Sequence, residues 1–219
     1  MARDWFRKHS WSPSDEKDFF VRLARARVWN RAQYLRIQAS ELMSTGRKRL
    51  LDHAILLLNR CVAEYPEATE VVFALNDCAE CHVRLGNVAH AVENYRAALE
   101  RQRARPTAIS SAAEDFAWLV AVTPLPVHYE EALNALAEWK PDALPLPLIR
   151  FRVAAARSMI LSAMGRTAEA SRHAKTALSE AARKETGLRF HRFVRLVPTQ
   201  EGRMLRRLRA IAESSTATT

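Results

Sequence analysis

The sequence predicts an all-α protein built from antiparallel helix pairs. Apolar residues recur at helical spacing along almost the whole chain, and no alternating strand pattern flanked by turn signals lasts for four residues. Ala, Leu, Arg and Glu dominate the composition, whereas Gly occurs five times and Pro nine times in 219 residues. Because the dominant side chains lose little freedom in a helix, composition and periodicity indicate the same fold class.

The most informative pattern is a spacing of small residues around two glycines. Gly86 has Ala79 seven residues before it, Ala91 five residues after it and Ala98 twelve residues after it. Gly165 has the same three intervals, filled by Ser158, Ala170 and Ala177. Antiparallel helices approach closely only where small side chains face each other, and a tight turn with positive φ favours Gly. The pattern therefore predicts two helix hairpins of one repeated design.

Two weaker copies of this pattern complete a predicted array over residues 30–186. Ala39 lies seven residues before Gly46, but Ala54 follows Gly46 after eight residues, which predicts a longer turn. The unit that opens at Ala117 has no Gly and carries Thr-Pro-Leu-Pro at 123–126, which predicts a longer loop. One alanine anchors the second helix of each unit, at intervals of 37, 41 and 38 residues: Ala54, Ala91, Ala132 and Ala170. The array is therefore expected to hold about four helix pairs.

The helices of the array are predicted from their apolar stripes and their capping residues. Helices are expected at 30–45, around the stripes at 50–62, 71–85 and 88–99, and near 110–122, 127–139, 146–164 and 167–185. Asn30 is the predicted cap of the first, with Gln33 placed to close a capping box. Asn87 is the predicted cap of the helix that follows Gly86.

A capping segment is predicted at each end of the array, because a solenoid otherwise exposes an apolar face there. Residues 1–29 form the first, in which Ser12-Pro13-Ser14-Asp15 predicts a helix start with Pro in the first turn and an acid three residues after the cap. Residues 187–213 form the second, with a helix starting at Pro198-Thr199. Its apolar face is predicted to hold Met204, Leu205, Leu208 and Ile211. Residues 214–219 are predicted to be a disordered tail.

The repeat resembles the tetratricopeptide repeat, a helix-turn-helix unit of about 34 residues. The resemblance rests on Leu85-Gly86-Asn87 through Ala98-Leu99 and on Met164-Gly165-Arg166 through Ala177-Leu178, and it covers roughly residues 31–186. It implies a right-handed solenoid in which the first helix of each pair lines a concave groove. Such grooves take an extended peptide or a helix, so the resemblance implies a non-catalytic scaffold or adaptor that binds a protein partner.

Projected onto this sequence, the groove is expected to carry eight partner-binding side chains: Arg36, Ser40, Asn76, Glu80, Arg84, Trp118, Arg152 and Met159. Trp118 is the expected anchor, because aromatic and arginine side chains dominate the binding energy of protein interfaces. A tryptophan packed in the core is the alternative for Trp118, and Met159 is open to the same alternative.

The net charge of +10 lies at the two ends of the chain. Residues 1–47 carry +5, residues 48–182 carry −1 and residues 183–219 carry +6. Basic ends attract an acidic protein partner or a phosphate backbone, so a nucleic-acid-binding regulator is the main alternative function. The basic last helix, with Arg203, Arg206, Arg207 and Arg209, is open to both interpretations or to a solvated cap. End-to-end assembly of the solenoid is a third hypothesis, and the oligomeric state stays open.

The string Cys78-x-x-Cys81-His82 is the one motif with a chemical interpretation of its own. It matches the attachment string of c-type haem, but it falls inside a predicted helix, and haem attachment also requires export and a second axial ligand. Zinc is the stronger rival, with Cys61 from the preceding helix as a fourth ligand. The apolar stripe favours the third interpretation, in which Cys78 is a small packing residue. No cofactor or metal is expected.

Neither catalysis nor membrane insertion is predicted. The chain has no Gly-x-Ser-x-Gly elbow, phosphate-binding glycine loop or His-Glu-x-x-His motif. Charges near the N-terminus interrupt any signal-peptide-like apolar run, and no apolar stretch approaches the roughly 18 residues that span a bilayer. Three cysteines, an odd number, do not suggest a disulfide framework. The expected location is the cytoplasm.

Overall fold

A computed structural model of the chain describes residues 4–138, 146–186, 188, 193–194, 196–198 and 202–214. Among these residues there is no β-strand, so the all-α prediction is confirmed. The α-helices, with a 3-10 turn at Pro126–His128 before α7, are α1 (Pro13–Arg25), α2 (Val28–Ser44), α3 (Lys48–Glu64), α4 (Glu70–Leu85), α5 (Val88–Ala104), α6 (Ala112–Val122), α7 (Tyr129–Glu138), α8 (Pro147–Ala163), α9 (Thr167–Ala181) and α10 (Gly202–Glu213). None of them is long and apolar enough to cross a membrane.

The chain divides into two compact units, residues 1–112 and 113–219. In unit 1, α3 packs between α2 and α4, and α5 packs on α4. In unit 2, α9 packs between α8 and α10, and α7 contacts α8. Neighbours along the chain are therefore neighbours in space within each unit, as expected for helix hairpins.

The two best copies of the repeat form the same turn. Gly86 and Gly165 have φ angles of 85° and 77°. The amide of Asn87 donates to His82 O at 2.8 Å, and the amide of Arg166 donates to Leu161 O at 2.9 Å. These bonds span five residues and satisfy carbonyls at the end of α4 and of α8. One sequence pattern has thus produced one turn twice.

Small side chains line the contact between the paired helices, as predicted. Ala79, Ala91 and Ala98 are each 0% exposed in the α4–α5 hairpin. In the α8–α9 hairpin, Ser158 replaces the first of these alanines, is also 0% exposed, and donates its hydroxyl to Ala170 O at 3.0 Å. A buried hydroxyl is tolerated there because the backbone carbonyl of Ala170 accepts its hydrogen bond.

The start of α1 confirms a predicted cap. The Ser12 side chain accepts a hydrogen bond from the Asp15 amide at 3.1 Å, and the Asp15 carboxylate accepts one from the Ser12 amide at 2.9 Å. Phe19 is 0% exposed, and the ring of Trp11 lies against it with centroids 5.4 Å apart. These residues belong to the buried core of unit 1.

Two predicted caps are corrected. α2 begins at Val28 with Arg27 at its N-cap, so Asn30 lies inside the first turn and cannot close the predicted capping box with Gln33. The Asn30 amide already donates to Arg27 O at 2.9 Å, which places its backbone in the helix. Asn87 does occupy the N-cap of α5, but its side chain makes no capping hydrogen bond.

At the C-terminal end, Leu208, Ile211 and Ala212 of α10 are buried, and the Ser171 hydroxyl of α9 donates to Ala212 O at 2.8 Å. Pro198, at the predicted helix start, is not helical, and Ser214, the first residue of the predicted tail, donates its amide to Ala210 O at 3.1 Å. Thr199, the other residue of the predicted start, and residues 215–219 lie outside the described residues. So does Trp139, which was assigned to the helix near 127–139; within the described part of the chain that helix ends at Glu138.

Candidate partner-binding surfaces

In unit 1, side chains from α2 and α4 interlock on one surface. The Arg36 Nε donates to Asp77 Oδ2 at 2.8 Å, and its guanidinium lies 4.8 Å from the ring centroid of Phe73. Arg36, Phe73 and Asp77 are all partly exposed. The ion pair restricts the long arginine side chain, so the ring and the guanidinium reach solvent in a fixed arrangement.

The same surface continues toward the end of α4. The Arg84 Nη1 donates to Met43 O of α2 at 2.9 Å and lies 3.8 Å from Glu80 Oε1. Glu80 and Ser40 are exposed. We call the set of six side chains the α2–α4 surface: Arg36, Ser40, Phe73, Asp77, Glu80 and Arg84. Its two arginines each lie beside a carboxylate, so its charge is balanced.

In unit 2, Arg152 of α8 organises a similar cluster. Its Nη1 lies 2.8 Å from Glu114 Oε1, its Nη2 lies 2.9 Å from Asp115 Oδ1, and its guanidinium lies 5.1 Å from the ring centroid of Trp118. Glu114 is only 3% exposed, whereas Trp118 is partly exposed. The ring of Phe151, which is fully buried, lies 6.4 Å from Trp118. We call these five residues the α6–α8 cluster.

The two sets share one chemical arrangement. A guanidinium lies over a partly exposed aromatic ring and is held by a carboxylate, and the arginine comes from one first helix while the ring and the carboxylate come from another. Cation–π contact of this kind contributes about 0.5–1 kcal/mol at exposed sites. What remains accessible is an aromatic edge and a guanidinium in a fixed position, which is the chemistry that dominates protein interfaces.

Two of the eight predicted partner-binding residues are corrected. Met159 is 1% exposed, so its side chain belongs to the core of unit 2 and is not available to a partner. Asn76 is 7% exposed, and its Nδ2 donates a hydrogen bond to Ser111 Oγ at 3.3 Å. Its side chain is therefore used in packing within unit 1 and is hardly accessible to a partner. Both errors have one cause, since projection from the repeat pattern fixes a helix face only to within one residue position.

The other six predicted residues fall into two groups. The structure brings Arg36, Ser40, Glu80 and Arg84 together on α2 and α4, and it brings Trp118 and Arg152 together on α6 and α8. Two carboxylates in these groups, Asp77 and Asp115, were not predicted. Their spacing carried a usable signal, because Asp77 lies four residues after Phe73 and Asp115 three residues before Trp118, which places each acid and ring on one helix face.

The three cysteines are fully buried packing residues. The thiol of Cys61 lies 3.6 Å from Ala32 O, and that of Cys78 lies 3.5 Å from Asn59 Oδ1. Burial raises the pKa of the Cys61 and Cys81 thiols to about 12 and that of Cys78 well above its usual range. Thiolates are therefore strongly disfavoured here.

The zinc alternative finds no assembled ligand set. The described residues, which include Cys61, Cys78, Cys81 and His82, contain no group of three or more His, Cys, Asp or Glu side chains that could hold a metal ion. His82 instead stacks on His90 with ring centroids 5.2 Å apart. Burial, and then the neighbouring His90, lower the pKa of His82. The Cys-x-x-Cys-His string lies wholly inside α4.

The chain matches no protein-family model, no curated protein and no solved structure. The tetratricopeptide resemblance therefore stays a prediction, based on the repeated turn and the small residues around it.

Proposed function

We propose that this protein is a non-catalytic scaffold or adaptor that binds a segment of a partner protein through the first helices of its helix pairs. One observation carries the proposal. In each unit, a guanidinium held by a carboxylate covers a partly exposed aromatic ring, as in Arg36 with Phe73 and Arg152 with Trp118. Such anchors need little further ordering when a partner binds, which lowers the entropic cost of association.

We also propose that the helix pairs follow the right-handed solenoid geometry of tetratricopeptide repeats. The equivalent turns at Gly86 and Gly165, together with the buried small residues beside them, support this geometry. Within each unit, the first helices would then line a groove that takes a peptide or a helix. An acidic partner is favoured, because both ends of the chain are basic. We place the protein in the cytoplasm, where its three buried thiols stay reduced.

In each unit, the partner protein is expected to bury the aromatic anchor of that unit. Loss of an anchor in a protein interface costs about 1–2 kcal/mol, which corresponds to roughly tenfold weaker binding. Phe73→Ala and Trp118→Ala are therefore each expected to raise the Kd for the partner about tenfold. Arg152→Ala is a poor test, because it also removes the ion-pair partner of Glu114, which is nearly fully buried.

The experiment uses a photo-cross-linking amino acid at Ser40, which is exposed on the α2–α4 surface. A cross-linked protein is identified and purified, and its affinity for the full chain is measured by calorimetry. Leu56→Ala is the matched control, because Leu56 is an apolar side chain on a second helix and is 64% exposed. The proposal fails if Phe73→Ala and Trp118→Ala bind as tightly as the unmodified chain, or if Leu56→Ala weakens binding equally.

A further inference from the structure

α10 carries a face made of arginines. Arg203, Arg206, Arg207 and Arg209 are all exposed. At about 100° per residue, the four side chains cover less than half of the helix circumference. The opposite side holds Leu208, Ile211 and Ala212, which are buried. We call the four arginines the α10 face.

Glu213 is the one acid of α10 and lies on the same side of the helix as the four arginines, so this side carries four positive charges against one negative charge. None of the four arginine side chains makes a hydrogen bond or an ion pair with a described residue. By contrast, Arg36, Arg84 and Arg152 each lie beside at least one carboxylate. Four guanidinium groups on about two turns of helix, opposed by one carboxylate on the same side, produce a local positive potential that attracts anions.

The helix itself is fixed on its apolar side. Leu208 is 0% exposed, and Ala212 O accepts a hydrogen bond from Ser171. An amphipathic helix that enters a membrane surface needs its apolar face free, whereas that of α10 is already used in packing. The α10 face is thus a charged surface on a rigid support, and membrane insertion does not explain it.

The composition of the face also identifies the kind of anion. Met204 and Leu205, which are partly exposed, lie on the other side of α10, so the side that carries the arginines has no aromatic or large aliphatic residue. It therefore lacks the apolar anchors of protein interfaces and the rings on which bases stack. Guanidinium groups match the oxygens of phosphates with two parallel hydrogen bonds. The surrounding sequence is basic as well, with nine Lys or Arg and three Asp or Glu in residues 183–219.

We propose that the α10 face binds the phosphate backbone of double-stranded nucleic acid without reading its base sequence. This function is additional to the proposed binding of a protein partner and uses different residues. Four phosphate contacts predict a log–log slope of affinity against salt of about −3.6, so that affinity falls about 100-fold between roughly 50 and 200 mM salt.

The test measures binding of the full chain to a fluorescein-labelled DNA duplex by anisotropy over a range of salt concentrations. Changing all four arginines of the α10 face to Gln is expected to weaken binding at low salt at least tenfold and to flatten the salt slope. The matched control removes the same charge from four exposed positions of unit 1: Arg25, Arg47, Lys48 and Arg49. It is expected to keep the slope. An Arg→Lys version of the α10 variant preserves the charge but not the paired hydrogen bonds of guanidinium, so it is expected to keep the salt slope and to bind less tightly than the unmodified chain but more tightly than the Gln variant.

Three results would overturn the proposal. The first is negligible binding of the unmodified chain at low salt. The second is an equal loss in the control variant, which would trace the binding to net charge alone. The third is competition by polyglutamate as strong as that by duplex of scrambled sequence, which would make the surface a site for acidic polypeptides. Circular dichroism checks that each variant is folded. If the Gln variant is not folded, the Arg→Lys variant decides, because binding as tight as that of the unmodified chain would show that the phosphate contacts lie elsewhere. Retained affinity of the folded α10 variant for a protein partner would leave the scaffold function untouched.

Discussion

Gly86 and Gly165 adopt the same left-handed conformation at the ends of α4 and α8, and nothing crowds them. A Cβ built at Gly86 would meet no atom within 4 Å. The requirement for Gly is therefore a property of the backbone, since an L-residue with positive φ costs about 1–2 kcal/mol. The tertiary structure around the turn adds no steric reason of its own.

This leads to a prediction about the turn. Gly86→Ala is expected to lower the free energy of unfolding by about 1 kcal/mol, and Gly165→Ala by a similar amount, when measured by urea denaturation. Gly202→Ala is the control, because Gly202 begins α10 without a positive φ. An Ala that was neutral at 86 but costly at 202 would contradict the assignment of the turn.

The cysteines give a second prediction at the scale of single residues. All three are 0% exposed, and burial raises the pKa of each thiol. At pH 8 the folded protein is expected to react with a thiol reagent only as fast as it opens, whereas all three thiols react in denaturant. The contribution of the thiols to the free energy of unfolding is therefore fully present below pH 9. It is lost as pH rises from 9 toward 12, because in that range the thiols of the unfolded chain ionise and those of the folded protein do not.

Immediate labelling of any one cysteine in the folded protein would contradict this prediction. Metal analysis of protein purified without a histidine tag provides a separate check. One equivalent of zinc that is lost in Cys78→Ser would show that the zinc alternative is correct and that the packing interpretation of Cys78 is wrong.

At the scale of elements, α1 depends on one reciprocal cap. Hydrogen bonds from the Ser12 backbone and side chain lower the pKa of Asp15 to about 2. The stabilisation by the ionised Asp15 carboxylate is therefore fully present above the ordinary Asp pKa of 3.8. It is lost as pH falls toward 2, where this carboxylate is protonated in the folded protein as well. Because α1 carries Phe19 into the core of unit 1, loss of the cap destabilises more than the first turn.

Ser12→Ala is expected to lower the free energy of unfolding by about 1 kcal/mol at pH 7 and by much less near pH 2. Ser14→Ala is the matched control, since Ser14 is exposed in the first turn of the same helix and its side chain makes no hydrogen bond to any described residue. Urea denaturation at the two pH values measures both variants. Equal losses for Ser12→Ala and Ser14→Ala at pH 7 would show that helix propensity, and not capping, is being measured.

At the scale of the molecule, stability is expected to be uneven within unit 2. α8 has 11 buried residues among its 17, whereas α10 has three among its 12. Amides in α8 should therefore exchange only after unfolding events of high free energy, and amides in α10 after local openings of lower free energy. Exchange is thus expected to be slower in α8 than in α10. Native-state hydrogen exchange with mass spectrometry measures the difference, and faster exchange in α8 than in α10 would contradict the description of the core.

The sequence predicted the features that depend on local conformation. The turns at Gly86 and Gly165 and the cap at Ser12 each follow from the residues within one helical turn, and the structure contains all three. The Asn30 cap was wrong, because the decision between two neighbouring helix starts depends on what surrounds the helix. There, Arg31 donates to the carbonyl of Ala24, in the last turn of α1, and to that of Ala26, the C-cap of α1.

Tertiary structure decided which side chains meet across distant segments. The buried Gln38 amide accepts from the Lys8 amide at 3.0 Å and donates to Lys8 O at 2.7 Å, which fixes the N-terminal segment on α2. The sequence around Gln38 does not predict this partner, which lies 30 residues away. The candidate surfaces are similar, since Arg36 and Asp77 are 41 residues apart and form their ion pair only when α2 and α4 are neighbours.

By itself, the sequence determined the helical fold class, the repeated turn and the basic ends of this protein. These properties follow from composition, from φ at single glycines and from charge, none of which depends on distant neighbours. Only the tertiary structure decided that Met159 and Asn76 are buried, and that Arg36 and Arg152 form ion pairs whereas the arginines of the α10 face form none with the described residues. The physical reason is that burial and ion pairing are properties of pairs of segments, and a rotation of one helix by one residue position exchanges a buried side chain for an exposed one.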